Sequence, residues 1–511
     1  MMATRQPEHL LQTRGASYWK WRTLIGCLVL TVAAGALAQQ VTPPTPEQQA
    51  AEIELQRKYP GYRGVGLNYL HAGPEAVERY LDLKVGLRIC MGMWDARGYD
   101  TSWHIVNKDK TNEGRQAYFD LYKEYNPVDF DAEEWMDLLE RGGLKYFTIL
   151  TKHHDGFSMY DTKTRVKRRF NQMAPGGPVI EECDTTFSIM DTPFKRDIVK
   201  ELCDAAHKRN IAIDLYFSNA DWYDADFRRG MYTPWDDPDY NRTTDPAGYA
   251  RQVHRHREQI RELLTNYGKI DMLCLDMNWE LPEYKGIEWP DMLDTIRMIR
   301  ALQPEVMIRK RGVGAYGDYQ TPEGKVPDSI DAPELKMPWM AIRLIAKKWA
   351  FDPNPENYRT PPAILEELID CCSKGGNLML TTGPTGKGTW RPEVVEILEY
   401  MGDWLKVNGE AIYKTRPFAV IREGKKIRFT RSKDNKYVYA ISLQWPGKTF
   451  TLKSVTPQPG SQIYMLGTKK PLAWRIADNS LVIEIPEQLQ NEANRPCKQA
   501  YAFKIEGHNA K

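Results

Sequence analysis

Tyr146-Phe147-Thr148-Ile149-Leu150-Thr151-Lys152-His153-His154-Asp155-Gly156-Phe157 is the stretch on which the fold turns. Its first half is a near-continuous apolar run, without the strict alternation of a strand that has one wet face. Such runs suit strands covered on both sides, as in a parallel sheet. The run then breaks into a lysine, two histidines, an aspartate and a glycine, a polar knot where the chain leaves the core.

Similar runs lie on either side: Val85–Met91, Ile211–Phe217, Met272–Leu275, Val306–Ile308 and Leu378–Thr381. Between them the apolar spacing changes to helical at Asp131–Arg141, Lys195–Lys208, Arg251–Asn266 and Arg391–Lys406. Asp131 is placed to cap its helix, with Glu133 and Glu134 in the first turn where the helix dipole favours negative charge. Strand–helix alternation predicts a (β/α) barrel or an open doubly wound sheet. No strand is followed by a G-x-G-x-x-G or a P-loop, so a nucleotide-binding sheet loses ground and a TIM-like barrel is expected. The stretch from Gly312 to Trp349 hides the remaining strands. After Trp404, short β-rich segments (428–431, 437–441, 463–466, 481–485) separated by Gly, Pro, Asn and Asp predict a C-terminal antiparallel β-sandwich. The expected division is a signal peptide at 1–38, a linker at 39–58, the barrel at 59–407 and the sandwich at 408–511.

The 511 residues carry 70 Lys+Arg against 68 Asp+Glu, a net charge of +2, with 42% hydrophobic residues. That composition excludes wholesale disorder and a polytopic membrane protein, and its charge balance argues against nucleic acid as partner. Lys20 and Arg22 precede an uncharged run, Leu24–Ala38, ending Ala36-Leu37-Ala38, which reads as a secretory leader and predicts export to the periplasm or the outside, or to a lysosome in a eukaryotic host. The run is shorter than the roughly 20 residues of a membrane span. The remaining cysteines show no C-x-x-C spacing, so neither a disulfide framework nor a zinc ribbon is expected.

At the C-terminal ends of barrel strands a side chain faces the active-site rim. His153, His154 and Asp155 sit there, as do Asp276, Tyr216 followed by Asp221-Trp222, and Arg309-Lys310-Arg311. The histidines are equally a loop bonded to its own backbone, and they lack metal-ligand spacing. Asp276, at the tip of a buried strand where Asp is disfavoured, is from spacing alone a nucleophile, a metal ligand or a cap. Two carboxylates beside a pocket of His, Arg and aromatic rings is what glycoside hydrolysis requires.

From about Lys84 to Phe418 the chain resembles the α-L-fucosidase family, glycoside hydrolase family 29. The likeness rests on Tyr125-Asn126-Pro127, Phe130-Asp131-Ala132, Lys152–Phe157, the strand ending in Asp276, Gly376-Asn377-Leu378 with Gly383-Pro384, and Trp404–Tyr413. It implies a barrel followed by a sandwich, and retaining hydrolysis of terminal α-L-fucose from a glycan with no metal or cofactor. It implies Asp276 as nucleophile, His153 and His154 as sugar-hydroxyl binders, Arg311 beside the sugar, and Tyr216 and Trp103 in the pocket. Glu323 falls where one branch of the family has its acid/base, with Glu334 in reserve. The departures are specific: Cys90-Met91-Gly92 replaces the usual His-Trp-Gly, Ser102 stands where Glu is common, Arg309–Val313 replaces Asn-Asn-Arg-Trp-Gly, and Trp339-Met340 replaces Trp-Glu. They leave open a changed sugar, such as a galactoside, or a glycan-binding protein without turnover. A metal-dependent hydrolase using His153 and Asp155 is the third alternative. Homo-oligomerisation stays open, and Asn241-Arg242-Thr243 is a glycosylation sequon if the host is eukaryotic.

Overall fold

The computed structural model describes residues 70–228, 240, 242–277, 289–329, 332, 335–506 and 508–510. The expected leader and linker, Asn241 and Glu334 lie outside these residues. Seven parallel strands form one sheet: β1 (Val85–Ile89), β2 (Tyr146–Lys152), β5 (Ala212–Ser218), β6 (Met272–Asp276), β7 (Met307–Ile308), β8 (Met340–Leu344) and β9 (Asn377–Thr382), with a separate hairpin of β3 (Val166–Asn171) and β4 (Val179–Thr185) inserted after β2. Their order is β7-β6-β5-β2-β1-β9-β8. The apolar runs of the sequence therefore become sheet neighbours in chain order, with Ile89 beside Ile149 and Tyr216 beside Cys274.

The stretch that sequence patterning could not parse closes the barrel. Residues 318–323 run between the two sheet edges: the Asp318 N–H donates to the Ile308 carbonyl at 2.7 Å, and the Met340 and Ile342 N–H groups donate to Gln320 and Pro322 carbonyls at 2.9 Å each. Single bridges at Arg309–Tyr319, Gln320–Trp339 and Glu323–Ile342 complete an eighth, irregular stave. Glu323 consequently lies at the same end of the barrel as the C-terminal tips of the strands.

The other end is plugged. The helix Pro74–Leu83 contributes Tyr80 and Leu81 to an apolar cluster with Tyr146, Met272, Met307, Tyr319, Met340 and Met379, which fills the barrel below its midpoint. Asp131 caps the helix Ala132–Arg141, accepting from the Glu133 and Glu134 N–H groups at 2.9 and 3.1 Å. The helix expected from Lys195 begins at Ile198, because Asp197 is its cap and accepts from the Lys200 N–H at 2.8 Å.

The last barrel helix ends at Asn408 and the first strand of the sandwich begins at Thr415. A sheet ordered 415–423, 427–432, 437–442, 501–506, 463–465 shares one core with a sheet ordered 449–452, 480–484, 474–477. Phe450 and Phe503 meet across that core with ring centroids 4.5 Å apart. The sandwich docks by Trp404 Nε1–H donating to the Ala500 carbonyl at 2.8 Å and by Arg416, whose Nη1 lies 2.8 Å from Asp82.

Candidate active site

Asp276 is the last residue of β6 and is 6% exposed. Its two oxygens are treated differently. The Tyr216 hydroxyl donates to Oδ2 at 2.5 Å. Oδ1 lies 3.1 Å from Arg311 Nε, an ion pair without hydrogen-bond alignment, so that this oxygen has no donor. Burial alone would raise the Asp276 pKa. Arg311, then His154 (charged at the low pH where Asp276 titrates) and Arg309, with the Tyr216 bond, hold it well below the usual carboxylate range. Asp276 is thus ionised, with one oxygen committed and the other open.

The backbone beyond it is strained. Met277 sits at φ +76°, a conformation that costs a non-glycine residue about 1–3 kcal/mol and persists only where its surroundings over-determine it. Asn219 does so: its N–H donates to the Asp276 carbonyl at 2.9 Å, its Nδ2 to the Met277 carbonyl at 3.2 Å, and its Oδ1 lies 2.9 Å from His256 Nε2. On the neighbouring segment, Gly312 (φ +95°) lets the chain carrying Arg311 pass against β6, where a Cβ would fall 1.8 Å from the Leu275 carbonyl oxygen.

The polar knot after β2 resolves into separate duties. His153 Nδ1 is 2.5 Å from Ser102 Oγ, and His154 Nδ1 is 2.7 Å from Ser218 Oγ. A serine on each Nδ1 fixes the ring and leaves Nε2 for a ligand hydroxyl. Burial pulls both pKa values down, that of His154 to about 4, so both are neutral at physiological pH. The His153 ring packs 5.7 Å from Tyr216, and His154 meets the Trp103 ring edge-on at 5.2 Å. Asp155 turns away, accepting from Tyr118 Oη at 2.6 Å and the Phe157 N–H at 3.1 Å, and burial raises its pKa to about 7. It is a loop-holding carboxyl, which removes the ligand that a metal reading would take from it. Among the described residues, no three His, Cys, Asp or Glu side chains gather as a metal site.

Asp221, expected on the rim, is instead buried behind it. Lys152 Nζ lies 3.3 Å from Asp221 Oδ2, and Arg255 pairs with the same oxygen. Gly156 (φ +84°) makes room, since its Cβ would fall 2.0 Å from Asp221 Oδ1.

Arg311 joins the two candidate carboxyls, pairing with Glu323 as well as with Asp276. Retention needs those groups about 5–5.5 Å apart, a span that one bridging guanidinium can cover. Trp103, beyond His154, lines an adjoining cavity of about 670 Å³ together with Tyr99, His104 and Trp349. The structure thus brings Asp276, Glu323, Tyr216, Arg311, His153, His154 and Trp103 into one continuous constellation. Sequence reasoning did not single out Ser218, which orients His154, or Arg88. The one available signal for Arg88 was a charge in the middle of an otherwise apolar strand. Cys90, where the family resemblance implies a histidine, is fully buried, and burial pushes its thiol up to about 11. An un-ionised thiol is only a weak hydrogen-bond donor and acceptor and does not do the work of an imidazole.

Comparison with known proteins agrees with this geometry. The sequence profile of α-L-fucosidase matches residues 69–410, and that of the α-L-fucosidase C-terminal domain matches 423–506. The α-L-fucosidase of Branchiostoma floridae is 26% identical over 453 residues, covering 84% of this chain and 92% of its own. Human tissue α-L-fucosidase is 29% identical over 405 residues, covering 76% and 78%. In fold, the chain is similar to α-L-fucosidase isoenzyme 1 of Paenibacillus thiaminolyticus, with a TM-score of 0.69 at 24% identity over 84% of this chain and 98% of that one. It is similar also to the Bacteroides thetaiotaomicron α-L-fucosidase solved as a trapped covalent intermediate with 2-fluoro-fucosyl fluoride, with a TM-score of 0.69 at 22% identity over 85% and 96%.

Proposed function

Because this chain belongs to the α-L-fucosidase family, we propose that it is an exo-acting, retaining glycoside hydrolase that releases terminal α-L-fucose from glycans. Asp276 Oδ1 attacks the anomeric carbon while Glu323 protonates the departing oxygen. A covalent glycosyl-enzyme forms, and Glu323 then takes a proton from the water that releases the sugar. Tyr216 holds the non-attacking oxygen and so fixes the carboxylate plane. His153, His154 and Arg311 orient ring hydroxyls, and Trp103 forms the wall towards the rest of the glycan. The observation that carries this reading is the asymmetry of Asp276: an ionised, buried carboxylate at a strand tip with one oxygen tied and one open.

The test is hydrolysis of aryl α-L-fucoside beside aryl β-D-galactoside and α-L-galactoside, by the wild type and by Asp276→Ala. Fucoside cleavage with a product of retained configuration, lost in the variant, supports the sugar and the nucleophile together. Cleavage of a galactoside alone keeps the mechanism and reassigns the pocket. No cleavage of any of them by folded protein favours a narrow natural substrate or a glycan receptor. The leader-like N-terminus supports export, and among the described residues no helix is long and apolar enough to cross a membrane. Sequencing the N-terminus of protein recovered from outside the cytoplasm tests cleavage after Ala38.

A further inference from the structure

Arg88 enters the barrel from the middle of β1 and is 6% exposed. Its guanidinium rises to the level of the site, 4.6 Å from the centroid of the Tyr216 ring and 5.4 Å from that of Trp349. Tyr216 is the residue whose hydroxyl holds the nucleophile, so this charge lies one aromatic ring away from Asp276. Among the described residues no carboxylate comes within ion-pair distance of Arg88, its buried Nε has no hydrogen-bond partner, and the groups that support its charge are the adjacent Cys90 thiol and, at longer range, Tyr216 and Asp276. Among other strongly buried arginines, Arg255 pairs with Asp221 and Arg300 with Asp318 at 2.6 Å, whereas Arg309 donates only to neutral groups, Thr321 Oγ1 at 2.7 Å and Cys274 Sγ at 2.8 Å. Arg309, 2% exposed, nevertheless keeps a buried Nη2 without a partner beside Asp276.

A buried guanidinium without a counter-ion costs more than one hydrogen bond to a neutral hydroxyl returns. Two aromatic faces offset part of that cost through cation–π attraction and also prevent the group from turning out to water. An oxyanion brought in by a ligand would complete the arrangement, since paired charge-assisted bonds to a planar guanidinium match sulfate and carboxylate geometry. The adjoining cavity is consistent with this. Lys108 and Lys348 stand on its wall beside Trp103 and Trp349, and the carboxylate there, Asp100, is occupied by the Trp349 and Ala350 N–H groups at 2.8 and 3.1 Å.

We propose that the sugar seated against Asp276 carries an anionic substituent, a sulfate ester or a carboxylate, and that Arg88 is the residue that selects it. This rests on the glycoside-hydrolase reading above and narrows its substrate class.

The test compares kcat/KM for aryl α-L-fucoside, its mono-O-sulfated isomers and the corresponding aryl α-L-galacturonide, in wild type, Arg88→Met, Arg88→Lys and Asp276→Ala, with melting temperatures as a folding control. The expected result is at least a tenfold preference of the wild type for one anionic glycoside, collapse of that ratio in Arg88→Met, and partial recovery in Arg88→Lys. Which substrate is preferred tells sulfate from carboxylate. A wild type that disfavours every anionic glycoside, or a preference unchanged in Arg88→Met, overturns the proposal. If the wild type cleaves none of them, the hydrolase reading fails separately. Equilibrium binding of fucose sulfates and free fucose then decides: tenfold tighter binding of a sulfated sugar, lost in Arg88→Met, upholds the role of Arg88, and equal binding ends it.

Discussion

Asp221, just beyond β5, and Asp276, the last residue of β6, lie at the ends of neighbouring strands of one barrel, both are nearly inaccessible, and both have their pKa values lowered by nearby cations against the effect of burial. They differ in how completely they are satisfied. Asp221 meets Lys152 and Arg255 and accepts from the Asp224 N–H at 3.1 Å, so neither oxygen is left over. Asp276 has one donor on one oxygen, and its main cation is half out in solvent and shared with Glu323. Ionisation and burial alone therefore do not separate a structural carboxylate from a reactive one. A free, pre-aimed lone pair does.

The sharpest way to break this contrast is to neutralise each carboxylate in turn. Asp276→Asn should lower kcat on the preferred glycoside by on the order of 10⁴-fold or more, because no other side chain offers an oxygen at that place. Its melting temperature should fall less than that of Asp221→Asn, since Arg311 keeps Glu323 as partner. Residual activity within tenfold of wild type would end the nucleophile assignment.

Asp221→Asn should do the reverse. It leaves buried Lys152 with the neutral Gln259 amide at 3.3 Å and buried Arg255 with Asp224 at 3.7 Å, and removing one member of such a cluster costs about 3–5 kcal/mol. Denaturant unfolding should show that loss, while any protein that remains folded keeps measurable turnover. Equal stability of the two variants would remove the distinction between a structural and a reactive carboxylate.

How much of this was legible beforehand follows the same physics. Strands β1, β2, β5, β6, β7 and β9 could be read because burial on both faces writes a continuous apolar run. The eighth stave could not, since residues 318–323 are held by isolated bridges and carry Asp, Gln, Thr, Pro and Glu rather than an apolar run. β8 was hidden beside it, and the β3–β4 hairpin was missed because it is largely solvent-facing. The seven candidate site residues were legible mainly as strand-tip positions sharpened by family likeness. Their supports were not: Ser218 and Asn219 act through geometry across strands, and Arg88 is informative only once its lack of a counter-ion is visible. Asp221 misled because a polar residue after a strand tip reads the same whether it faces the pocket or a buried lysine.

The histidines extend the contrast to pH. His154 titrates near 4 in the folded protein, because burial disfavours its charged form, and near 6.5 unfolded. Between those values the unfolded chain binds the extra proton, so stability is complete above about pH 6.5 and declines as pH falls towards 4. The span corresponds to about 3 kcal/mol at most. Melting temperature against pH should thus fall less steeply on the acid side for His154→Gln than for wild type, and parallel curves would show that the imidazole is not held neutral.

The smallest expected effect is the most direct probe of how Asp276 is aimed. Tyr216→Phe deletes one oxygen and retains the ring that packs against His153 and Arg88. A hydrogen bond to a charged acceptor contributes about 1.5–3 kcal/mol, so kcat/KM should fall by roughly 10- to 150-fold. Since the hydroxyl lowers the carboxyl pKa, its loss must raise it, and the acid limb of the pH–rate profile should move upward. A merely structural tyrosine would lower activity evenly across pH, leaving the limb in place. If the limb moves while the melting temperature holds, the hydroxyl acts on the reacting carboxylate, and the difference between the tied and the open oxygen of Asp276 is what the barrel mouth is arranged to maintain.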